Sequence, residues 1–132
     1  MVSNWITKEG HWQMGELTQV RTILEEIKRI EHVQDVSLVS RSGMYILGES
    51  PKGVHQETYA AMSGILVGAA ETTAAEMKDL LRNVMVKLNG RSLLLVATNG
   101  RYIFAITTDD KADLDKVYKE ASVLAQKADL DF

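Results

Sequence analysis

Two Asn-Gly pairs, Asn89-Gly90 and Asn99-Gly100, each stand between short apolar runs in the second half of the chain. The runs are Val84-Met85-Val86-Lys87-Leu88, then Ser92 to Thr98, then Tyr102 to Thr107. Asn-Gly between apolar runs is the strongest short-range hairpin signal, because both turn residues accept positive φ. Two in succession predict a three-strand meander. Leu93-Leu94-Leu95-Val96 and Ile103-Phe104-Ala105-Ile106 are apolar on both faces, so these strands are expected inside a sheet covered on both sides. The first run alternates, with Val84, Val86 and Leu88 pointing one way and Met85 and Lys87 the other, as an edge strand does.

The rest of the chain supplies the cover. Leu17, Val20, Ile23, Leu24, Ile27 and Ile30 are spaced three and four apart over Glu16 to Glu31 and predict a helix with one apolar face. Val36 to Ser40 and Met44 to Leu47 flank Arg41-Ser42-Gly43 and read as a hairpin. A long helix is expected from Gln56 to about Leu81, with Tyr59, Met62, Leu66, Ala69, Thr73, Met77 and Leu80 as its core stripe. A last helix is expected to start near the capping acids Asp109-Asp110, with Leu114, Val117, Tyr118, Ala121, Leu124, Ala125 and Ala128 facing inward. The expected fold is a three-layer α/β/α sandwich around a five-stranded, mostly antiparallel sheet, in the order α-β-β-α-β-β-β-α. The expected organisation is an N-terminal arm over 1–15, one domain over 16–128 and a short tail over 129–132.

The long middle helix carries a second message. Opposite its expected core stripe lie Glu57, Ala61, Gly64, Gly68, Glu71 and Ala75, small and nearly uncharged where a solvated face would carry Lys, Glu and Gln. Each mid-helix glycine costs roughly 0.8–1 kcal/mol against alanine, and small residues let another backbone approach closely. One helix cannot cover a five-stranded sheet. A second copy that lays its middle helix alongside the first, and pairs Val84, Met85, Val86 and Lys87 with their symmetry mates, removes both the bare face and the free edge. A homodimer is therefore expected.

No catalytic constellation accompanies this surface. His11, His32 and His55 lie in the arm, at a helix end and in a loop, and none is spaced for a helical metal pair. Asp109, Asp110, Asp113 and Asp115 lack the loop of an EF-hand, and the glycines at 48 and 53 lack the Lys-Ser/Thr of a phosphate-binding loop. Glu71 is a lone carboxylate suited to a partner contact. The expectation is no enzyme, no metal and no cofactor. The chain has no cysteine, so disulfides and thiol chemistry are excluded. Its 15 basic and 18 acidic residues sum to −3, without the basic excess of a nucleic-acid binder. The longest apolar stretch, Tyr59 to Ala70, is twelve residues, against the roughly 20 needed to span a bilayer. No signal peptide is visible, and a cytoplasmic location is expected. Both tryptophans, Trp5 and Trp12, fall in the arm, where they either tuck onto the domain or hook a partner.

The helix Leu17 to Ile30, then Val33-Gln34-Asp35-Val36 and Ser37-Leu38-Val39-Ser40-Arg41-Ser42-Gly43, resembles the opening of the roadblock family of dynein light chains, whose members show an I-x-G-V-x-x-x-x-L-V-S-R-D-G pattern. Glu57-Thr58-Tyr59-Ala60-Ala61-Met62-Ser63-Gly64 with Gly68-Ala69-Ala70-Glu71 is similar to the family's middle helix. Ser42 stands where the family carries Asp, and Lys111-Ala112-Asp113 replaces its Asn-Leu-Gly. The resemblance, over roughly residues 16–128, implies a profilin-like roadblock fold and a homodimer with a shared ten-stranded sheet and paired middle helices. It also implies a non-enzymatic adaptor that binds a small Ras-like GTPase or a scaffold of a signalling or motor complex. The competing expectation is a small-ligand sensor with a pocket between sheet and helix.

Overall fold

The computed structural model describes residues 14–98 and 101–127. The elements run α1 (Met14–Lys28), β1 (Val33–Ser40), β2 (Tyr45–Gly48), α2 (Gln56–Glu76), β3 (Val84–Lys87), β4 (Arg91–Ala97), β5 (Tyr102–Asp109) and α3 (Leu114–Gln126). This is the predicted order. The five strands form one sheet in the order β2-β1-β5-β4-β3, with every pairing antiparallel. β3 is an edge strand, as its alternation requires, and β2 is the opposite edge.

The sheet separates two apolar layers. On one side Val20, Ile23, Leu24 and Ile27 of α1 and Val117 and Ala121 of α3 close over Val36, Leu38, Leu94, Val96, Phe104 and Ile106. On the other, Tyr59, Ala60 and Val67 of α2 close over Val39, Leu95, Ile103 and Ala105. The doubly apolar runs of β4 and β5 thus feed both layers, and truncating a buried residue such as Ile103 to alanine costs about 2–5 kcal/mol. Val84 packs toward the α2 layer and Met85 toward the other, which fixes the two faces of β3.

Four local expectations are corrected. The inward stripe of α2 is Tyr59, Ala60, Ser63 and Val67, not the stripe through Met62, Met77 and Leu80, all of which are exposed. At about 100° per residue the phase is off by a single position, Ser63 instead of Met62. α2 also stops at Glu76, because Lys78 turns into the left-handed region at φ 58 and the N–H of Asp79 folds back to the Ala74 carbonyl at 2.9 Å. α3 starts at Leu114, capped by the Asp113 carboxylate, which accepts from the Lys116 N–H at 3.3 Å. Neither Asn89 nor Gly90 takes positive φ, so the β3–β4 turn is not of the mirror-image type that the Asn-Gly pair favours. Asn99-Gly100 lies outside the described residues.

Asp109 has a different task from capping. Its carboxylate holds His32 Nδ1 at 2.8 Å, and its N–H donates to the His32 carbonyl at 3.0 Å. This double tie secures His32 at φ 76, a left-handed corner between α1 and β1 that costs a residue with a side chain about 1–2 kcal/mol.

Candidate functional site

Helix α2 crosses the sheet near the end that carries the β1–β2 and β4–β5 turns. The crossing is set by a backbone contact without side chains between: a Cβ placed on Gly64 would sit 3.0 Å from the Gly43 Cα and 3.1 Å from the Arg41 carbonyl. Arg41 then clips three elements together. Its Nη1 donates to the Glu71 carboxylate of α2, its Nη2 donates to the Thr98 carbonyl at 2.6 Å, and its N–H donates to the Arg101 carbonyl at 2.7 Å. Glu71, a lone carboxylate in sequence, has a partner thirty residues upstream. The pair is about one-third exposed on each side chain, so its value is modest and its geometry is what matters.

The predicted interface residues separate accordingly. Glu57, Ala61, Gly68 and Ala75 are exposed on the outer face of α2, while Gly64 and Glu71 lie half-buried against the β1–β2 turn. Val84, Met85 and Val86 are half-buried on β3, and Lys87 is exposed. Among the described residues β3 pairs with β4 alone, so its outer backbone row is free. Trp5 and Trp12 lie outside the described residues.

The periodicity missed the most exposed part of the surface. Met62 is 55% exposed and Ile65 69%, and both stand beside Ala61, Gly68 and Ala69 on one unbroken apolar face. Beyond the helix end, Met77 is 74% and Leu80 92% exposed. Large apolar side chains gathered on one face mark an interaction site. The signal that could have found them was Tyr59-Ala60, two adjacent residues that must share the inward side and so rotate Met62 off it.

α2 is longer than the sheet is wide. A helix of 21 residues is about 31 Å long, whereas five strands spaced about 4.8 Å apart span about 19 Å between outer axes. The helix ends at Glu76, and Met77 and Leu80 just beyond it stand exposed. At the opposite end of the same sheet face, near the β3–β4 turn, Val86 and Leu93 remain half-exposed.

Burial pushes the Tyr59 phenol above its ordinary range, so it stays neutral and offers no proton at neutral pH. Among the described residues no group of three or more His, Asp or Glu side chains is placed to hold a metal ion. None of the described helices is long and apolar enough to cross a membrane. Between α2 and the sheet the side chains pack directly on one another; an open groove of about 690 Å³ lies at the rim instead, lined by Gly43, Met44, Tyr45 and residues 54–57.

Comparison with known proteins agrees with this architecture. Residues 19–108 match the Roadblock/LC7 domain family. An uncharacterized protein of Methanocaldococcus jannaschii is 32% identical over 94 residues, covering 70% of this chain and 81% of that protein. Among solved structures, Myxococcus xanthus MglB superposes with a TM-score of 0.74 at 19% identity, covering 85% of this chain and 95% of its own. The Roadblock/LC7 domain from Streptomyces avermitilis does so with a TM-score of 0.70 at 19% identity, covering 82% and 92%. With its helix order, its antiparallel sheet and more than half its length matched, the chain belongs to the Roadblock/LC7 domain family.

Proposed function

We propose that this chain is a non-enzymatic adaptor that forms a homodimer and presents the dimer's helical face to a small Ras-like GTPase. The observation that carries the reading is the bare apolar face of α2, Ala61, Met62, Ile65, Gly68 and Ala69, next to the unpaired edge of β3. A two-fold axis beside β3 pairs the free edges and brings the two α2 helices together. The helices lie antiparallel, with the exposed Met77 and Leu80 offered to the other copy's half-exposed Val86 and Leu93. The free edge is removed and part of the apolar surface is covered, leaving the outer face of the paired helices to the partner. MglB, a fold neighbour, has been solved in a tetrameric arrangement, which supports self-association as a habit of this fold.

The partner class rests on what the resemblance to the roadblock family implies. The tagged full-length chain is expected to retain a GTPase from its native lysate, in the GTP- or the GDP-loaded state. Recovery of no GTPase in either state would overturn the reading. A thermal-shift screen with nucleotides and metabolites separates the ligand-sensor alternative, since a ligand that binds only the folded chain raises its midpoint by mass action. No such shift is expected, because the contact between sheet and α2 is filled by side chains.

A further inference from the structure

The β3–β4 turn combines three features that favour chemistry on its own backbone. Asn89 and Gly90 are both exposed. The turn is closed by one bond, the Leu88 N–H donating to the Arg91 carbonyl at 2.9 Å, while the Gly90 N–H makes no hydrogen bond among the described residues. Gly90 has no side chain to crowd its nitrogen, and a Cβ placed there would meet nothing within 4 Å. An unshielded backbone nitrogen thus follows directly on an unshielded carboxamide.

We propose that Asn89 is a self-modifying site, at which the side-chain amide is converted to a carboxylate with water as the sole co-reactant. The Gly90 nitrogen gives its proton to solvent base and bonds to Asn89 Cγ. The Cγ–N bond of the carboxamide breaks, and that nitrogen leaves as ammonia, with a proton from solvent. The resulting cyclic succinimide is opened by water at either carbonyl, giving aspartate or isoaspartate. No oxidation or reduction occurs. Asn83 is the internal contrast. It precedes Val84, whose branched side chain crowds the nitrogen, and Val84 is held in register with Leu95 in the sheet.

The consequence is local and directional. Conversion places a new negative charge two residues from Lys87 and two from Arg91, at the end of the free edge strand. The isoaspartate product also adds one backbone carbon to the turn, loosening the register of β3 on β4. The inference depends on the turn alone and does not rest on the proposed dimer or its partner.

The test is to age the full-length protein at mildly alkaline pH and follow its peptides by mass spectrometry with isoaspartate detection. The peptide containing Asn89 is expected to accumulate both aspartate and isoaspartate, while Asn83 remains an amide. Gly90→Ala is expected to slow conversion of Asn89 to the rate seen at Asn83. That variant is accommodated, because Gly90 has open space and no positive φ, and circular dichroism verifies that it folds. Persistence of the Asn89 amide for as long as that of Asn83 would overturn the proposal. So would aspartate alone at a rate untouched by Gly90→Ala, which would mean direct hydrolysis without the ring.

Discussion

Gly64 and Gly68 look equivalent as letters and differ as positions. A Cβ at Gly64 meets the backbone of Gly43, whereas one at Gly68 meets nothing within 4 Å. Alanine at either site improves helix propensity by about 0.8–1 kcal/mol. At Gly64 the forced separation of α2 from the β1–β2 turn outweighs that gain, since overpacking costs about 1–3 kcal/mol. Denaturant unfolding in dilute solution should show Gly64→Ala less stable than wild type and Gly68→Ala more stable; equal shifts would contradict the close approach. Asp109 gives a pH-dependent counterpart. The hydrogen bond from His32 Nδ1 is the main influence holding its carboxyl below the ordinary aspartate range, with the Lys111 N–H at 2.9 Å helping. A lowered folded pKa stabilises the protein above the unfolded value, and that stability is lost as pH falls through the folded one. Asp109→Asn should therefore flatten the acid limb of a stability–pH profile while lowering stability at neutral pH.

At the level of elements, the proposed self-association turns on α2. Ile65→Glu changes a side chain that is 69% exposed and touches no core cluster, so the fold should survive by circular dichroism while the associated mass falls. A Lys87→Pro change should act in the same direction: the Leu88 N–H donates to the Arg91 carbonyl of β4, so by the alternation of the ladder the Lys87 N–H lies on the outer edge of β3. The same helix shows where sequence stopped being informative. Its existence, length class and small-residue face were legible, because long alanine-rich periodicity is a strong local signal. Its phase was not, because alanine, serine and glycine are compatible with inside and outside alike. Its end was not, because the left-handed stop is Lys78, not the glycine that usually marks it. α3 began four residues later than Asp110 because Asp109 was already committed to His32, a pairing across 77 positions that no local pattern encodes. The β-meander, by contrast, was read correctly from its alternation and breaks, even though the Asn89-Gly90 turn adopts another geometry.

At the scale of the molecule, the domain closes one face of its sheet with two helices and the other with a single helix longer than the sheet is wide. That imbalance, more than any residue, carries the functional reading. The small-residue stripe was legible as a surface of close approach, but the fold divides it, giving Gly64 and Glu71 to the chain's own β1–β2 turn. Met62, Ile65, Met77 and Leu80 replace them as the exposed apolar surface on which the proposal rests. The most direct test is the mass of the full-length chain by light scattering at tens of micromolar protein. A dimer has twice the 14.7 kDa of one chain, and that is the mass expected; a particle of a single chain's mass at that concentration would rule the dimer out.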